Sequence, residues 1–244
     1  MSSSSSSPNP KAWASRPRNW RMLFQSAIGK KIVMGVTGLM MVGWVFMHMV
    51  GNTLLFAGDH PLPFSSMSAM NFYGWVIQEG SHGAVWVMRA VMVTALGLHV
   101  WAAISLTGQN RAARPVAYQQ SMKRQKTSIF ALTMRLSGVF LLLYIIAHVL
   151  HITVGLGVPN FEWGHPYETV VAAFSNPVVA IVYVLANLAL GFHLFHATAS
   201  SLQTLGFEHP QYNDMRRNGS IALAALITLV NISFPVSVML GVIH

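Results

Sequence analysis

Cysteine is absent from this chain of 244 residues, and charged residues are scarce, at 9% of the sequence. The absence of cysteine excludes disulfides, thiolate metal sites, iron–sulfur clusters held by this chain and a covalently attached haem. Hydrophobic residues make up 53% of the sequence, a composition with which a soluble domain of this size would not stay in solution. The chain is therefore predicted to be an integral membrane protein.

Lysine and arginine are also absent from two whole stretches, residues 57–83 and 156–177. Those stretches are acidic instead, with Asp59, Glu79, Glu162 and Glu168. The alternate connections carry the basic residues: Lys11, Arg16, Arg18, Arg21, Lys30, Lys31, then Arg111, Arg114, Lys123, Arg124, Lys126, then Arg216 and Arg217. Because cytoplasmic loops are enriched in Lys and Arg, the N-terminus is predicted to be cytoplasmic and the C-terminus external. The net charge of +9 thus indicates topology and a docking surface, and no nucleic-acid partner is expected.

Five apolar segments are each long enough for the about 20 residues that a helix needs to cross about 30 Å of hydrocarbon. They lie at about residues 32–56, 84–106, 129–155, 178–205 and 220–242, and are called the first to fifth crossings. The predicted fold is an all-α integral membrane bundle that forms one domain over residues 29–244. Residues 1–28, rich in Ser and Pro, are predicted to be a polar cytoplasmic tail and not a cleaved signal.

Histidines occur deep inside four of the five crossings. A polar side chain facing lipid costs about 2 kcal/mol or more, so these imidazoles are expected to face the interior of the bundle. They are His48 in the first crossing, His99 in the second, His148 and His151 in the third, and His193 and His196 in the fourth. At least one inward histidine on each of four helices predicts two sites with two histidines each.

Depth in the membrane indicates which histidines pair. At a rise of about 1.5 Å per residue, His48 and His148 both lie beyond the middle of the bilayer towards the outside. His99 and His193 lie beyond the middle towards the inside, because their helices run in the opposite direction. Each pair supplies two imidazoles from different helices at one level, which is the requirement of a b-type haem with two axial ligands.

The two H-x-x-H motifs leave the third and fourth ligands open, since positions i and i+3 lie on nearly one face of a helix. Depth favours His148 over His151, which would lie about 4.5 Å further outward. Depth does not decide between His193 and His196. A hydrogen-bonded structural role for a single histidine is the simpler alternative, whereas zinc is disfavoured because neither carboxylates nor an H-E-x-x-H motif accompany these residues.

Arg89 and Arg135 lie about two turns inside the second and third crossings. An arginine in such a position either extends its side chain to the membrane interface or pairs with an anionic cofactor group such as a haem propionate. Arg89 falls near the outer level and Arg135 near the inner one. The second alternative predicts one propionate partner for each haem.

Several stretches together resemble the di-haem cytochrome b membrane anchor, of the b558 type, of succinate:quinone oxidoreductases. They are the basic NRAARPVAYQQ stretch after the second crossing, SGVFLLLYIIAHVLHIT in the third and HLFHATASSLQTLG at the end of the fourth. The resemblance extends from about Gly29 to the C-terminus. It implies ligand pairs between the first and third and between the second and fourth crossings. It also favours His193, which stands thirteen residues before Gly206.

What the resemblance implies is one subunit of a respiratory complex in the bacterial cytoplasmic membrane. An FAD-containing flavoprotein would oxidise succinate, an iron–sulfur subunit would dock on the cytoplasmic face, and two b haems would pass electrons to a quinone, typically menaquinone. Reduction of the quinone also needs protons, for which Glu79 and His82, near the outer haem, are the candidates. The direction of the reaction, the quinone species and the oligomeric state stay open.

Two other classes of protein stay open as alternatives. The anchor of another di-haem b oxidoreductase, such as a hydrogenase or formate dehydrogenase, would share the paired histidines, and its co-purifying subunits would distinguish it. A transporter with proton-relay histidines would have intramembrane histidines but no haem.

Overall fold

The structure, a computed structural model, describes residues 24–113 and 127–244, with the side chains of the second range from residue 133 onward. Its long helices are α1 (Ala27–Asn52), α3 (Ala84–Ala112), α4 (Thr127–His148), α6 (Pro177–Thr204) and α7 (Asn213–Met239). Its short helices are α2 (Ala69–Trp75) and α5 (Pro166–Phe174). The five long helices are long and apolar enough to cross a membrane, which confirms the predicted all-α membrane fold with five crossings.

Parts of the predicted topology fall outside the described ranges. These parts are most of the polar tail and the basic residues Lys11, Arg16, Arg18, Arg21, Arg114, Lys123, Arg124 and Lys126. Within the described ranges, one end of the bundle comprises the start of α1, the end of α3 and the α6–α7 connection, and it is called the basic end. The opposite end comprises residues 57–83 and 156–177, and it is called the acidic end.

The helix starts have local causes in the sequence. Ser26 caps α1 by accepting a hydrogen bond from the Gly29 amide at 3.0 Å, and Asn176 caps α6 in the same way at the Val178 amide. Helix α1 begins five residues before the predicted crossing, and α7 begins seven before it. Hydropathy marks only the part of a helix that lies in hydrocarbon, so polar first turns such as Lys30 and Lys31 extend beyond the predicted limits.

The acidic end is closed by the two short helices, which lie outside the five predicted crossings. Asn71 in α2 donates to both carboxylate oxygens of Glu168 in α5, at 3.0 and 2.8 Å, and accepts from the Tyr167 amide at 2.9 Å. Gly74 permits the approach, because a Cβ there would lie 2.8 Å from Pro166. The sequence carries start signals for both helices, namely the N-cap Ser68 and a proline at N1 of α5.

An apolar cluster lies beneath this cap and joins it to the ends of the long helices. Its buried members include Leu55, Met70, Val170, Phe174 and Phe234. Tyr167 is also buried there, and its hydroxyl donates to the main-chain oxygen of His244 at 3.1 Å. Burial, followed by the nearby carboxylates of Asp59 and Glu168, raises the pKa of Tyr167, so the hydroxyl stays protonated and keeps this bond.

Helix α6 is the centre of the bundle. Among the described residues, the main packing contacts join α6 to α7, α1 and α4, and join α1 to α3. Helix α4 packs closely along α6, whereas it does not pack closely along α1 or α3 in this part of the chain. Side chains that reach between α1 and α4 therefore lie in the interior of the bundle, beside α6.

Candidate functional site

His48 and His148 meet across the interior at the acidic end of the bundle. His48 is on α1, His148 is the last residue of α4, and their ring centres lie 6.0 Å apart with the ring planes at 83°. A bond from a metal ion to an imidazole nitrogen is about 2 Å long, and that nitrogen lies about 1 Å from its ring centre. Two imidazoles on opposite sides of one metal ion therefore have centres about 6 Å apart. The observed spacing fits this arrangement.

Aromatic rings surround the same pair. Trp44 stacks on His48 with ring centres 6.1 Å apart and planes at 20°. Tyr144 and Tyr183 lie 5.8 and 5.7 Å from the His148 ring. The Nδ1 atom of His148 is buried and has no hydrogen-bond partner in the described part of the chain. An unpartnered buried polar atom costs about 1–3 kcal/mol, so this histidine retains a coordination capacity that the protein itself does not use.

His99, on α3, is held at one nitrogen by α1. Its Nδ1 lies 3.1 Å from the Met34 carbonyl oxygen and 3.4 Å from the Thr37 hydroxyl. That hydroxyl donates to the Val33 carbonyl at 2.7 Å, so Nδ1–H of His99 donates to Met34. In this tautomer Nε2 carries no proton and is available to a metal ion.

His193, on α6, is held in the same way by α4. Its Nδ1 lies 3.1 Å from the hydroxyl oxygen of Ser137, and that hydroxyl lies 3.2 Å from the Met134 carbonyl oxygen. With the Ser137 hydroxyl donating to Met134, it accepts from Nδ1–H of His193, and in this tautomer Nε2 again carries no proton. Met34 and Ser137 precede His48 and His148 by 14 and 11 residues on their helices, so the imidazoles of His99 and His193 both lie further towards the basic end.

A glycine makes room for the His99 ring. A Cβ on Gly38 of α1 would lie only 3.2 Å from Cε1 of His99, closer than such contacts normally occur. The next glycines of this helix differ, since a Cβ on Gly35 would make an ordinary contact with Ser201 and one on Gly43 would contact nothing within 4 Å. Around His99, the close approach of α1 is therefore confined to Gly38, and the other close approach of this helix is at Gly51, next to Tyr73.

The second histidine of each H-x-x-H motif has its own contacts. His151 places Nδ1 3.0 Å from the hydroxyl oxygen of Tyr183 on α6. His196 packs against the neighbouring Phe195, with ring centres 4.5 Å apart. The hydrogen bond of His151 matches that of a structural histidine, whereas His148 lies opposite His48. This geometry favours His148 as the ligand, and the choice stays a prediction.

The two arginines do not lie against the histidine pairs. The Arg89 guanidinium lies 4.6 Å from the ring centre of Trp86, which is 67% exposed on the outer surface of the bundle. Arg135 is exposed. Both positions are compatible with arginines that extend to the membrane interface. The pairing of either arginine with a haem propionate stays a prediction.

Glu79 and His82 lie together at the acidic end, as their sequence positions require. Glu79 is exposed in a π-helical turn over Val76–Gly80, and the His82 amide donates to its carbonyl oxygen at 3.3 Å. His82 is exposed and has φ of 49°, a left-handed conformation that ends the turn before α3 begins. Both side chains are exposed at the acidic end of the bundle.

Sequence reasoning missed the residues that orient the imidazoles. For two of them a signal exists, since Trp44 and Tyr144 each precede a histidine by four positions, and side chains at i and i+4 are neighbours on a helix. For Ser137 and Tyr183 there is no such signal, because they reach a histidine on another helix. Their roles depend on helix packing.

A metal ion here would have to bring further ligands with it. In the ranges that the structure describes, no group of three or more His, Asp or Glu side chains is arranged to hold a metal ion. Two facing imidazoles occupy only two coordination positions. A porphyrin supplies the other four, so the donor set suits haem better than a free metal ion.

Comparison with known proteins gives one family. The sequence model of the succinate dehydrogenase/fumarate reductase transmembrane subunit matches residues 107–232, slightly more than half of the chain. The matched part contains His148, His151, His193 and His196, and it begins after His48 and His99. No curated protein and no solved structure matches the chain. On the family match and the five apolar helices, the chain belongs to the family of transmembrane subunits of succinate dehydrogenase and fumarate reductase.

Proposed function

We propose that the chain is the di-haem cytochrome b anchor of a succinate:quinone oxidoreductase and passes electrons from an iron–sulfur subunit to a membrane quinone. The observation that carries this proposal is the presence of two histidine pairs at two levels of one bundle. At one level the ring centres of His48 and His148 are 6.0 Å apart, and at the other His99 and His193 each keep Nε2 free. Family membership supports the nature of the complex.

The residues of the chain have separate roles in this function. His48 and His148 would hold one b haem, and His99 and His193 the other; each haem supplies one-electron redox chemistry when bound. Met34 and Ser137 orient the imidazoles at the basic end, and Trp44 and Tyr144 pack against those at the acidic end. The apolar side chains around both levels would limit the access of water to the imidazoles.

The orientation in the membrane follows from charge. The basic end is assigned to the cytoplasm by the excess of Lys and Arg, and it would receive the iron–sulfur subunit together with its FAD-containing flavoprotein. His99 and His193, the pair nearer the basic end, would then hold the haem that lies on the side of the iron–sulfur subunit. The bacterial cytoplasmic membrane is the proposed location, because succinate and its oxidising subunits would lie on the cytoplasmic side.

The quinone is assigned to the acidic end. A second haem at the His48/His148 level is useful only if electrons travel across the bilayer, so the quinone should react beyond it. Glu79 and His82 lie at that end with exposed side chains and would exchange the protons of the reaction. Menaquinone is the proposed quinone, as the di-haem type implies.

Alternative functions differ in what they require. A fumarate reductase anchor would use the same site in the reverse direction, and the relative rates of succinate oxidation and fumarate reduction in membranes decide between the two. Anchors of hydrogenases or formate dehydrogenases would bring different soluble subunits. A proton-coupled transporter would bind no haem.

A reduced-minus-oxidised optical spectrum of the purified complex tests the proposal. We expect an α band of b type and, by pyridine haemochrome analysis, two haems for each copy of this chain. Co-purification of one flavoprotein and one iron–sulfur protein is expected in the same preparation. A preparation without a b-type band would refute the haem assignment, and one haem per chain would refute the two-level arrangement.

A further inference from the structure

A cleft of about 650 Å³ lies at the basic end, between the end of α6 and the start of α7. Its lining includes Thr198 and Leu202 on α6 and Arg216 on α7, and none of the four paired histidines. Thr198 and Leu202 follow His193 by five and nine residues, which places them about 140° and 180° around α6 from that histidine. The cleft is therefore on the side of α6 turned away from the basic-end histidine pair.

The cleft contains open space and has an apolar rim. Gly219 of α7 lines it, and a Cβ added at this glycine would meet no atom within 4 Å. Phe207 and Met215 at the rim are each 68% exposed, and Tyr212 is exposed as well. These side chains stand where α6 and α7 end at the basic side of the membrane, a level at which tyrosine and headgroups meet. The cleft is therefore open to the lipid interface.

Arg216 brings a guanidinium without a counter-charge to this cleft. Its Nη1 lies 3.4 Å from the Ala199 carbonyl oxygen of α6, so the side chain is directed towards the other helix. Its Nε is buried and has no hydrogen-bond partner in the described part of the chain. All six acidic residues lie in the described ranges, and the ion pairs formed there, both with histidines at the acidic end, do not include Arg216. Glu208, which also lines the cleft, accepts from the Gln203 amide at 2.6 Å instead.

Two further hydrogen-bond donors line the cleft. Thr198 is only 6% exposed, and its hydroxyl has no partner among the described residues. Thr204 and Thr228, by contrast, donate to the carbonyl four residues earlier in their helices. The Nδ1 atom of His209 accepts from the Gln211 amide at 3.2 Å, so the ring proton is on Nε2, which can donate to a ligand. The polar groups of the cleft therefore lack an acceptor.

We propose that the cleft binds an anionic membrane phospholipid, with the phosphate at Arg216 and an acyl chain along the apolar rim. A phosphate diester has two free oxygens, which match the two parallel N–H bonds at the Nε edge of a guanidinium. Basic pockets between membrane helices on the cytoplasmic side suit such headgroups. A neutral ligand would leave the guanidinium without a counter-charge. This site is independent of the haems and of the proposed electron transfer.

The test uses the complete complex, purified and placed in nanodiscs of phosphatidylcholine with a small fraction of phosphatidylglycerol. Native mass spectrometry then counts the phosphatidylglycerol that stays bound. The wild type should retain one molecule for each copy of this chain. Arg216→Gln, which removes the charge, and Gly219→Leu, which fills the space but keeps the charge, should both lose it. Arg217→Gln is the matched control, because Arg217 is exposed and is not among the lining residues, and it should retain the lipid.

Each outcome decides the inference. Equal retention in Arg216→Gln and the wild type would overturn it, and so would equal loss in Arg217→Gln, which would show a general attraction of the basic end for anions. Displacement of the lipid by added inorganic phosphate would show a site for the free anion instead. A wild-type complex without bound phosphatidylglycerol would also overturn it, as expected if a partner subunit fills the cleft.

Haem content shows whether each preparation has assembled. If Arg216→Gln does not assemble, Gly219→Leu decides. Failure of both variants, with normal assembly of Arg217→Gln, would show a purely structural role and overturn the inference. A wild-type complex without b haems that still retains the lipid would refute the proposed function and leave the lipid site intact.

Discussion

The two histidine pairs are held by different means. At the basic end, His99 and His193 each donate Nδ1–H to an oxygen on a neighbouring helix, the Met34 carbonyl and the Ser137 hydroxyl. At the acidic end, His48 is stacked on Trp44, and His148 lies among aromatic rings with Nδ1 unpaired. Hydrogen bonds determine a tautomer as well as an orientation, whereas ring packing determines orientation alone.

This difference teaches how two chemically similar ligand sets can be tuned separately. An imidazole that donates from Nδ1 to a good acceptor is a stronger electron donor to its metal ion, which stabilises the oxidised state. An imidazole packed among aromatic rings has no acceptor for Nδ1–H, so its electron donation to the metal ion is not increased. Two haems held as proposed are therefore expected to differ in midpoint potential, with the basic-end haem the lower of the two.

The largest effect is expected when one ligand of the acidic-end histidine pair is removed. His48→Ala should abolish the acidic-end haem and leave the basic-end haem, because the two sites share no ligand. Haem content should fall from two to one per chain by pyridine haemochrome analysis. If two haems remain, the His48/His148 assignment is wrong.

The second prediction concerns the proposed reaction of the quinone at the acidic end. Glu79→Gln keeps the shape and hydrogen-bonding capacity of the side chain but removes its titratable proton. Quinone turnover linked to succinate should fall by about 10²-fold or more, while haem content is unchanged. Succinate oxidation with an artificial acceptor that takes electrons from the soluble subunits serves as the control and should be normal. Unimpaired quinone turnover would exclude Glu79 from the mechanism.

A smaller effect is expected when one hydrogen bond to a basic-end imidazole is removed. Ser137→Ala removes the acceptor for Nδ1–H of His193, so the basic-end midpoint potential should rise. One hydrogen bond is worth about 1 kcal/mol, which sets the shift at no more than about 40 mV for a one-electron couple. Ser220→Ala is the matched control, since Ser220 is buried and, like Ser137, donates to a carbonyl of its own helix, at 2.9 Å. An equal shift in both variants would contradict the specific role of Ser137.

The smallest effect concerns the second histidine of each H-x-x-H motif. His151→Ala and His196→Ala should each retain both haems, because the ligands remain in place. His151→Ala removes the bond to the Tyr183 hydroxyl and should shift only the acidic-end haem. Optical spectra and redox titration measure both quantities. Loss of a haem from either variant would show that the substituted histidine, and not the other histidine of that motif, is the ligand.

Much of the fold and part of the candidate site were predictable from sequence. Helices such as α3, whose predicted start at Ala84 is the observed one, are marked by long apolar runs. The short α2 and α5 were missed, because hydropathy detects membrane crossings and not seven- or nine-residue caps. Depth predicted the histidine pairs, since a rigid helix converts residue number into distance along the membrane normal, and their role as haem ligands stays a prediction.

The sequence by itself determined the class of the protein, because composition and charge alternation act through the bilayer and need no tertiary contacts. Lys30 shows what it did not determine: in sequence it is one of several basic residues beside exposed Lys31, and only the packing of α1 against α3 buries it. The tertiary structure likewise decided which groups hold His99 and His193. Partners on other helices depend on helix rotation and crossing, which residue spacing within one helix does not encode.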